Sequence, residues 1–247
     1  MGKAFVLLSG GIDSTTCLAL AIRDYGHDKV EALSVSYGQS HETHELRAAA
    51  CVAEYYNIPH RILDMRPDMP RGGLTDINAS DTLPDVTYGE ITGVSPSYVP
   101  FRNGLLLAKA AGIAQAEGGE GSAVYAGQHA EDAAGGAYPD CGLDFIGAMA
   151  AAITIGTYHH VQLKAPLIQM FKPEVIKLGA SLGAPYHLTR SCYRDTSDHC
   201  GRCSTCYARA EGFDAADVED PTIYEIDPRR SRITDLLVDG ISPHLKL

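Results

Sequence analysis

Leu8–Leu18 reads LSGGIDSTTCL, and the fold follows from how this stretch is entered and left. The apolar run Ala4–Leu8 before it has the pattern of a strand buried on both faces. The segment behind it has the apolar period of a helix. Ser9-Gly10-Gly11 is therefore a strand-to-helix turn, and its two glycines let the backbone approach a ligand and adopt angles closed to other residues. Asp13, Ser14, Thr15 and Thr16 follow at the helix start, where unpaired N–H groups and the positive end of the dipole favour an anion. A strand, a glycine turn, hydroxyls and a helix N-terminus together describe a phosphate cradle rather than an ordinary capped turn.

The chain contains neither G-x-x-x-x-G-K-[ST] nor G-x-G-x-x-G, so neither the Walker loop nor the dinucleotide fingerprint accounts for the cradle. The run SGGIDS instead resembles the PP-loop of ATP pyrophosphatases, which split ATP into AMP and pyrophosphate and usually adenylate a substrate.

A chain of 247 residues accommodates one large α/β domain with at most a small appendage. The expected division is a nucleotide-binding domain over 1–186 and a cysteine-bearing segment over 187–247 packed on it. A formal net charge of −11 argues against direct nucleic-acid or membrane-surface binding, although an anionic nucleotide still needs local cations or a metal. No apolar run is long enough to span a bilayer, and the N-terminus reads as a strand rather than a secretory signal, so a cytoplasmic address is expected.

Further along, Val30–Tyr37 is a second strand, a helix runs from about Glu42 to Tyr56, and His60–Leu63 is a third strand. Strand and helix alternate as in a doubly wound, mostly parallel, Rossmann-like α/β sheet, with ligands expected beyond the carboxyl ends of the strands. Gly38, Gln39, His41 and Glu45 would then border the phosphate loop. Residues 66–100 are proline-rich with little periodicity and read as a long loop of the kind that forms lids. It ends at Arg102-Asn103, at the start of an alanine-rich helix from about Gly104 to Glu117, which favours a second anion. After a strand at Val124–Gly127 come Gln128-His129-Ala130-Glu131-Asp132, a glycine turn and Tyr138-Pro139-Asp140-Cys141. That acid-flanked turn suits a Mg²⁺ ligand or a purine-edge acceptor. A helix with Phe145, Met149 and Ile153, a strand at Val161–Lys164 and a helix over Glu174–Leu182, led by Lys172-Pro173, complete the pattern.

Of seven cysteines, four form C-x7-C-x2-C-x2-C at Cys192, Cys200, Cys203 and Cys206. In a reducing compartment such a cluster binds metal more often than it cross-links. Four thiolates leave no open position, so a structural Zn²⁺ is expected. An iron–sulfur cluster uses similar spacings, and a redox C-x-x-C pair is the third option. Cys17, Cys51 and Cys141 read as packed thiols, with Cys141 alone placed to touch a ligand.

Taken in order, SGGIDSTTCL, YGQSH with Glu45, YVPFRN, AYPDC, PL with Lys172, and T-x-SCY before CGRCSTC and Arg209 resemble the 7-cyano-7-deazaguanine synthase (QueC) family of PP-loop enzymes. The match runs from Phe5 to about Phe213. The resemblance implies adenylation of 7-carboxy-7-deazaguanine by ATP with Mg²⁺, displacement of AMP by ammonia to give the amide, and a second ATP-dependent round to the nitrile. It also implies a homodimer supplied with free ammonia. Leu8, Ser9, Gly10, Gly11, Asp13, Ser14 and Thr15 would hold phosphates and metal, and Ser36, Tyr37 and Gln39 would lie near the nucleotide. Asp13, Ser14, Arg102 and Lys172 are the expected catalytic set. Arg102, Asn103, Asp132, Tyr138 and Asp140 would meet the deazaguanine.

Three departures fall beside the loop expected to face the base: Phe101 where many members have Gly, the longer GGAYPDC in place of SGYPDC, and Gly142 where many have Arg. They leave a second expectation standing, a related enzyme that stops at the amide or joins the activated carboxylate to another amine. A tRNA-modifying PP-loop enzyme with an iron–sulfur cluster is disfavoured by the acidic balance. A non-catalytic nucleotide-binding or interaction protein is disfavoured by the intact SGGIDS beside Arg102 and Lys172.

Overall fold

A computed structural model describes residues 2–76 and 92–229. Part of the proline-rich loop and the last stretch of the cysteine-bearing segment lie outside the described residues.

Five parallel strands form one sheet in the order β3-β2-β1-β4-β5. They are β1 (Ala4–Leu7), β2 (Val30–Ser36), β3 (His60–Asp64), β4 (Ser122–Tyr125) and β5 (Val161–Lys164). Among the described residues six α-helices accompany them: α1 (Ile12–Tyr25), α2 (Glu42–Tyr55), α3 (Arg102–Ile113), α4 (Leu143–Gly156), α5 (Lys172–Ser181) and α6 (Ser204–Ala216).

Strand alternation divides the core between two faces. Ala4, Val6, Ala32 and Tyr125 pack with Leu18 of α1, Ala49 of α2, Ile176 of α5 and Phe213 of α6. Phe5, Leu33 and Val124 pack with Leu107 of α3 and with Ile146 and Ile153 of α4. Each Val, Leu, Ile or Phe side chain among them contributes about 1.5–3 kcal/mol on burial. This arrangement is the expected doubly wound α/β fold. Strand order reverses between β1 and β4, so the crevice for a ligand opens beyond Leu8 and Ala126.

Helix starts differ slightly from the sequence reading. Arg102, Asn103 and Lys172 belong to the first turns of α3 and α5 rather than preceding them. In α3 the reason is a carboxylate: Asp140 Oδ2 accepts the Asn103 N–H at 2.9 Å, which satisfies an orphan donor of the first turn. In α5, Glu174 accepts the Phe171 N–H at 2.7 Å and Pro173 occupies an early position that needs no donor. Among the described residues no helix is long and apolar enough to cross a membrane.

Candidate active site

The phosphate loop is built by contacts that a larger residue would break. Gly10 has φ +77°, and a Cβ there would stand 2.5 Å from the Ala49 nitrogen of α2. Across the loop, a Cβ on Gly127 would come within 3.1 Å of the Asp13–Ser14 peptide. Ser14 turns back on the loop: its Oγ donates to the Gly11 carbonyl at 3.2 Å and receives the Ser9 N–H at 3.2 Å. No side chain caps α1 at Gly11, so the free N–H groups of its first turn stay available to an anion.

Two cavities flank this loop. The larger, about 600 Å³, is bounded by Gly11, Asp13, His129, Glu131, Asp132, Lys172, Arg190, Tyr193 and the inner side of α6. The smaller, about 200 Å³, lies over the ends of β1, β2 and β4 and is lined by Leu8, Ser9, Tyr37, His41, Glu45, Arg102, Asn103, Gln128 and Tyr193 among others.

In the larger cavity Lys172 Nζ grips both Asp13 oxygens, at 2.7 and 2.8 Å. Burial pushes Asp13 up, but the Lys172 ammonium, His129 and the hydrogen bonds from Lys172 outweigh it and hold the carboxyl below its ordinary value. His129 stands between acids, with Nε2 at 3.2 Å from Asp132 and 4.0 Å from Asp13. Burial raises the Asp132 carboxyl despite His129 and Lys172. Oxygen donors of this kind suit Mg²⁺. Among the described residues, however, only the four cysteines bring three or more ligand atoms together. Asp13 and Asp132 could supply only part of the ligand set of a Mg²⁺ ion, so these residues do not form an all-protein cage for one.

In the smaller cavity Arg102 donates to the Tyr37 hydroxyl at 3.2 Å and its guanidinium sits 5.7 Å from the ring centroid. Burial pushes the Tyr37 phenol up to about 12, so it remains neutral beside this cation. His41 pairs with Glu45 at 3.0 Å and its ring lies 5.1 Å from that of Tyr193.

Several other expected residues spend their polar groups within the protein. Gln39 accepts the Tyr37 N–H at 3.0 Å and donates to the Val35 carbonyl at 3.2 Å, closing the turn after β2. Thr15 is fully buried and lines neither cavity, and Ser36 is buried too. Thr16 bonds the Tyr186 hydroxyl at 2.8 Å and is a core contact. The Tyr138 hydroxyl bonds Ser95 and Ser97. Asn103 donates to Cys141 Sγ at 3.1 Å. His129, Arg190 and Tyr193 face the cavities without having been singled out, although Arg190 and Tyr193 flank the first cysteine of the cluster.

All seven cysteines are free thiols. Cys192, Cys200, Cys203 and Cys206 are buried, with their sulfurs within 4.8 Å of one another. Metal–sulfur bonds of about 2.3 Å place tetrahedral ligands about 3.8 Å apart, and Cys200 and Cys206 Sγ are 4.0 Å apart. The cluster could hold a metal ion such as zinc.

A glycine turn and an open helix N-terminus at the switch point of a parallel sheet, between two cavities lined by Lys172 and Arg102, define a doubly wound α/β protein suited to an anionic ligand. The family model for the queuosine biosynthesis protein QueC matches residues 3–217. A 7-cyano-7-deazaguanine synthase of Koribacter versatilis is 41% identical over 227 residues, covering 90% of this chain and 93% of the relative. A 7-cyano-7-deazaguanine synthase 2 of Desulfitobacterium hafniense is 40% identical over 245 residues, covering 97% and 100%. The chain belongs to the QueC family.

Proposed function

We propose that this protein uses ATP to activate the carboxylate of 7-carboxy-7-deazaguanine and converts it, with ammonia, to 7-cyano-7-deazaguanine in the cytoplasm. The observation that carries the reading is the pair of cavities meeting at one phosphate loop, with Arg102 in one and Lys172 in the other. The names of its relatives supply the substrate class.

A carboxylate is a poor acyl donor, and adenylation gives it a leaving group. Its oxygen attacks the α-phosphorus of ATP and pyrophosphate departs. Ammonia then adds to the acyl carbon, AMP leaves, and the extra proton passes to solvent or a nearby base. A second ATP takes the amide oxygen with loss of pyrophosphate and one N–H proton, and departure of AMP with the other N–H proton leaves the nitrile. In this reading the apolar ends of the strands and Tyr37 receive the nucleoside, and the loop N–H groups with Ser9 and Ser14 hold phosphates. Lys172 exchanges its bond to Asp13 for phosphate oxygens, and Arg102 offsets charge on the acid or the α-phosphate. Asn103, Asp132, Tyr138 and Asp140 remain the residues proposed on the deazaguanine side, Tyr138 and Asp140 by holding its loop. Mg²⁺, when bound, neutralises charge building on the triphosphate, and Zn²⁺ closes the four thiolates. The main task of the site is alignment of two reactants that repel each other.

One observation favours the second reading. A Cβ on Gly142 would meet only Ala133 and the Pro139 carbonyl, at 3.5 and 3.9 Å, so sterics do not demand glycine there. A loop without that position's cation is compatible with an enzyme that ends at the amide or a conjugate. Pairing of two copies is supported by exposed apolar side chains: Leu143 and Ile155 on α4, and Phe101, whose ring meets Phe145 of the same helix. Mass spectrometry after incubation with 7-carboxy-7-deazaguanine, ATP, Mg²⁺ and ammonium tests the proposal. A nitrile with AMP and pyrophosphate supports it, an amide alone supports the second reading, and absence of AMP refutes both.

A further inference from the structure

Residues 189–200 are wound around Cys192. The N–H groups of Arg194 and Cys200 each approach Cys192 Sγ at 3.4 Å, and Ser191 N–H donates to His199 Nε2 at 3.0 Å. The Arg190 guanidinium donates to the carbonyls of Arg194, Thr196 and Ser197 at 2.8, 2.7 and 3.3 Å. Arg209, on α6 between the cysteines and the core, donates to Thr189 Oγ1 at 2.9 Å and Ser191 Oγ at 3.2 Å. This winding leads straight into the nucleotide site. Arg190 N–H donates to the Gly10 carbonyl at 2.8 Å, on the loop residue held at φ +77°. Tyr193 borders both cavities and packs its ring near His41.

We infer that the cysteine-bound turn is a working wall of the site and not only a tie for the C-terminal segment. Arg190 is a positioning residue for the phosphate loop, Tyr193 is the partition between the two cavities, and ligation at Cys192 sets both. The two large clusters on the faces of the sheet include no residue of 189–203, and Tyr193 packs only at the margin of the small cluster around Val35 and Tyr37. With the thiolates released from a common ion, the link joining all four sulfurs is lost and only the hydrogen bonds within the turn remain. The turn loosens and Gly10 loses the bond that selects its loop conformation.

The identity of the ligand rests on the proposed function, so the first test avoids the deazaguanine. The full-length protein is stripped of metal by a chelator under reducing conditions, and binding of Mg²⁺-pyrophosphate is measured by calorimetry beside far-UV circular dichroism. Loss of one net hydrogen bond and of the loop's preorganisation predicts about a tenfold weaker affinity with the dichroism retained, restored by Zn²⁺. Unchanged affinity overturns the inference, and so does unfolding of the stripped protein as one unit. The second test keeps the metal. Tyr193→Ala, with parental zinc content, should raise KM for ATP and for the acid about tenfold with little change in kcat, while Tyr193→Phe stays near the parent. Parental KM values in Tyr193→Ala overturn the partition role. Failure of the parent to turn over the acid would refute the proposed function and leave the pyrophosphate result to decide the inference.

Discussion

Replacing Lys172 by methionine keeps most of the stem and removes the charge that Asp13 faces at 2.7 and 2.8 Å. Breaking a buried pair by deleting one partner costs about 3–5 kcal/mol. The side chains here are 14% and 26% exposed, so water recovers part of that and about 2–3 kcal/mol remains. For a chain of this length the melting temperature should fall by about 4–12 °C at neutral pH. The deficit must depend on pH in one direction. In the parent, Asp13 lies below its ordinary value of 3.8, so its stabilisation is complete above that value and disappears as pH falls through the lower folded value. In Lys172→Met burial acts with less opposition and raises the Asp13 carboxyl. The variant then takes up a proton on folding as pH drops, and its gap to the parent narrows toward pH ~4. Thermal melts of both proteins between roughly pH 4 and 8 read this directly. A gap that is constant over the range, or widens on acidification, refutes the assignment of Lys172 as the partner of an ionised Asp13. AMP formation by Lys172→Met should also fall by about two orders of magnitude or more.

Gly10→Ala combines a left-handed conformation with a Cβ 2.5 Å from a backbone nitrogen. It should cost about 2–5 kcal/mol in melts and weaken Mg²⁺-pyrophosphate binding in calorimetry. Phe101 stands at φ +52° before α3, so Phe101→Gly should be more stable than Phe101→Ala by about 1 kcal/mol in denaturant titration. The reverse order would show that the backbone there is not strained. Arg209 and Asp220 are a charge pair with both side chains 1% exposed. Arg209→Met should lower the melting temperature by about 10 °C through the unpaired carboxylate, and additional Asp220→Asn should recover part of it.

The sheet was legible because its strands are short apolar runs separated by helical periods, and the phosphate loop because its turn requires a glycine at Gly10, close against α2. The cysteines were legible from spacing alone. The roles of polar residues were harder to read, since a side chain that bonds the backbone and one that faces a ligand look alike in sequence. Asp140 spends an oxygen on the start of α3, Gln39 closes its own turn, and Tyr138 is held by two serines far earlier in the chain. Conversely, His129 enters the site because the end of β4 carries it beside Asp13, from residues 116 positions apart in the chain. Arg190 and Tyr193 fall within T-x-SCY, where the cysteine carried the meaning of the motif and left its neighbours without a role.

The central claim, that the acid's own oxygens are transferred to ATP, is tested most directly by 7-carboxy-7-deazaguanine labelled with ¹⁸O in both carboxyl positions. Mass spectrometry of the AMP released should find one ¹⁸O in the phosphate of each of two AMP molecules per nitrile formed, or in one AMP per amide with the second label kept in the product. Unlabelled AMP, or label retained wholly in the deazaguanine product, would contradict adenylation of the carboxylate.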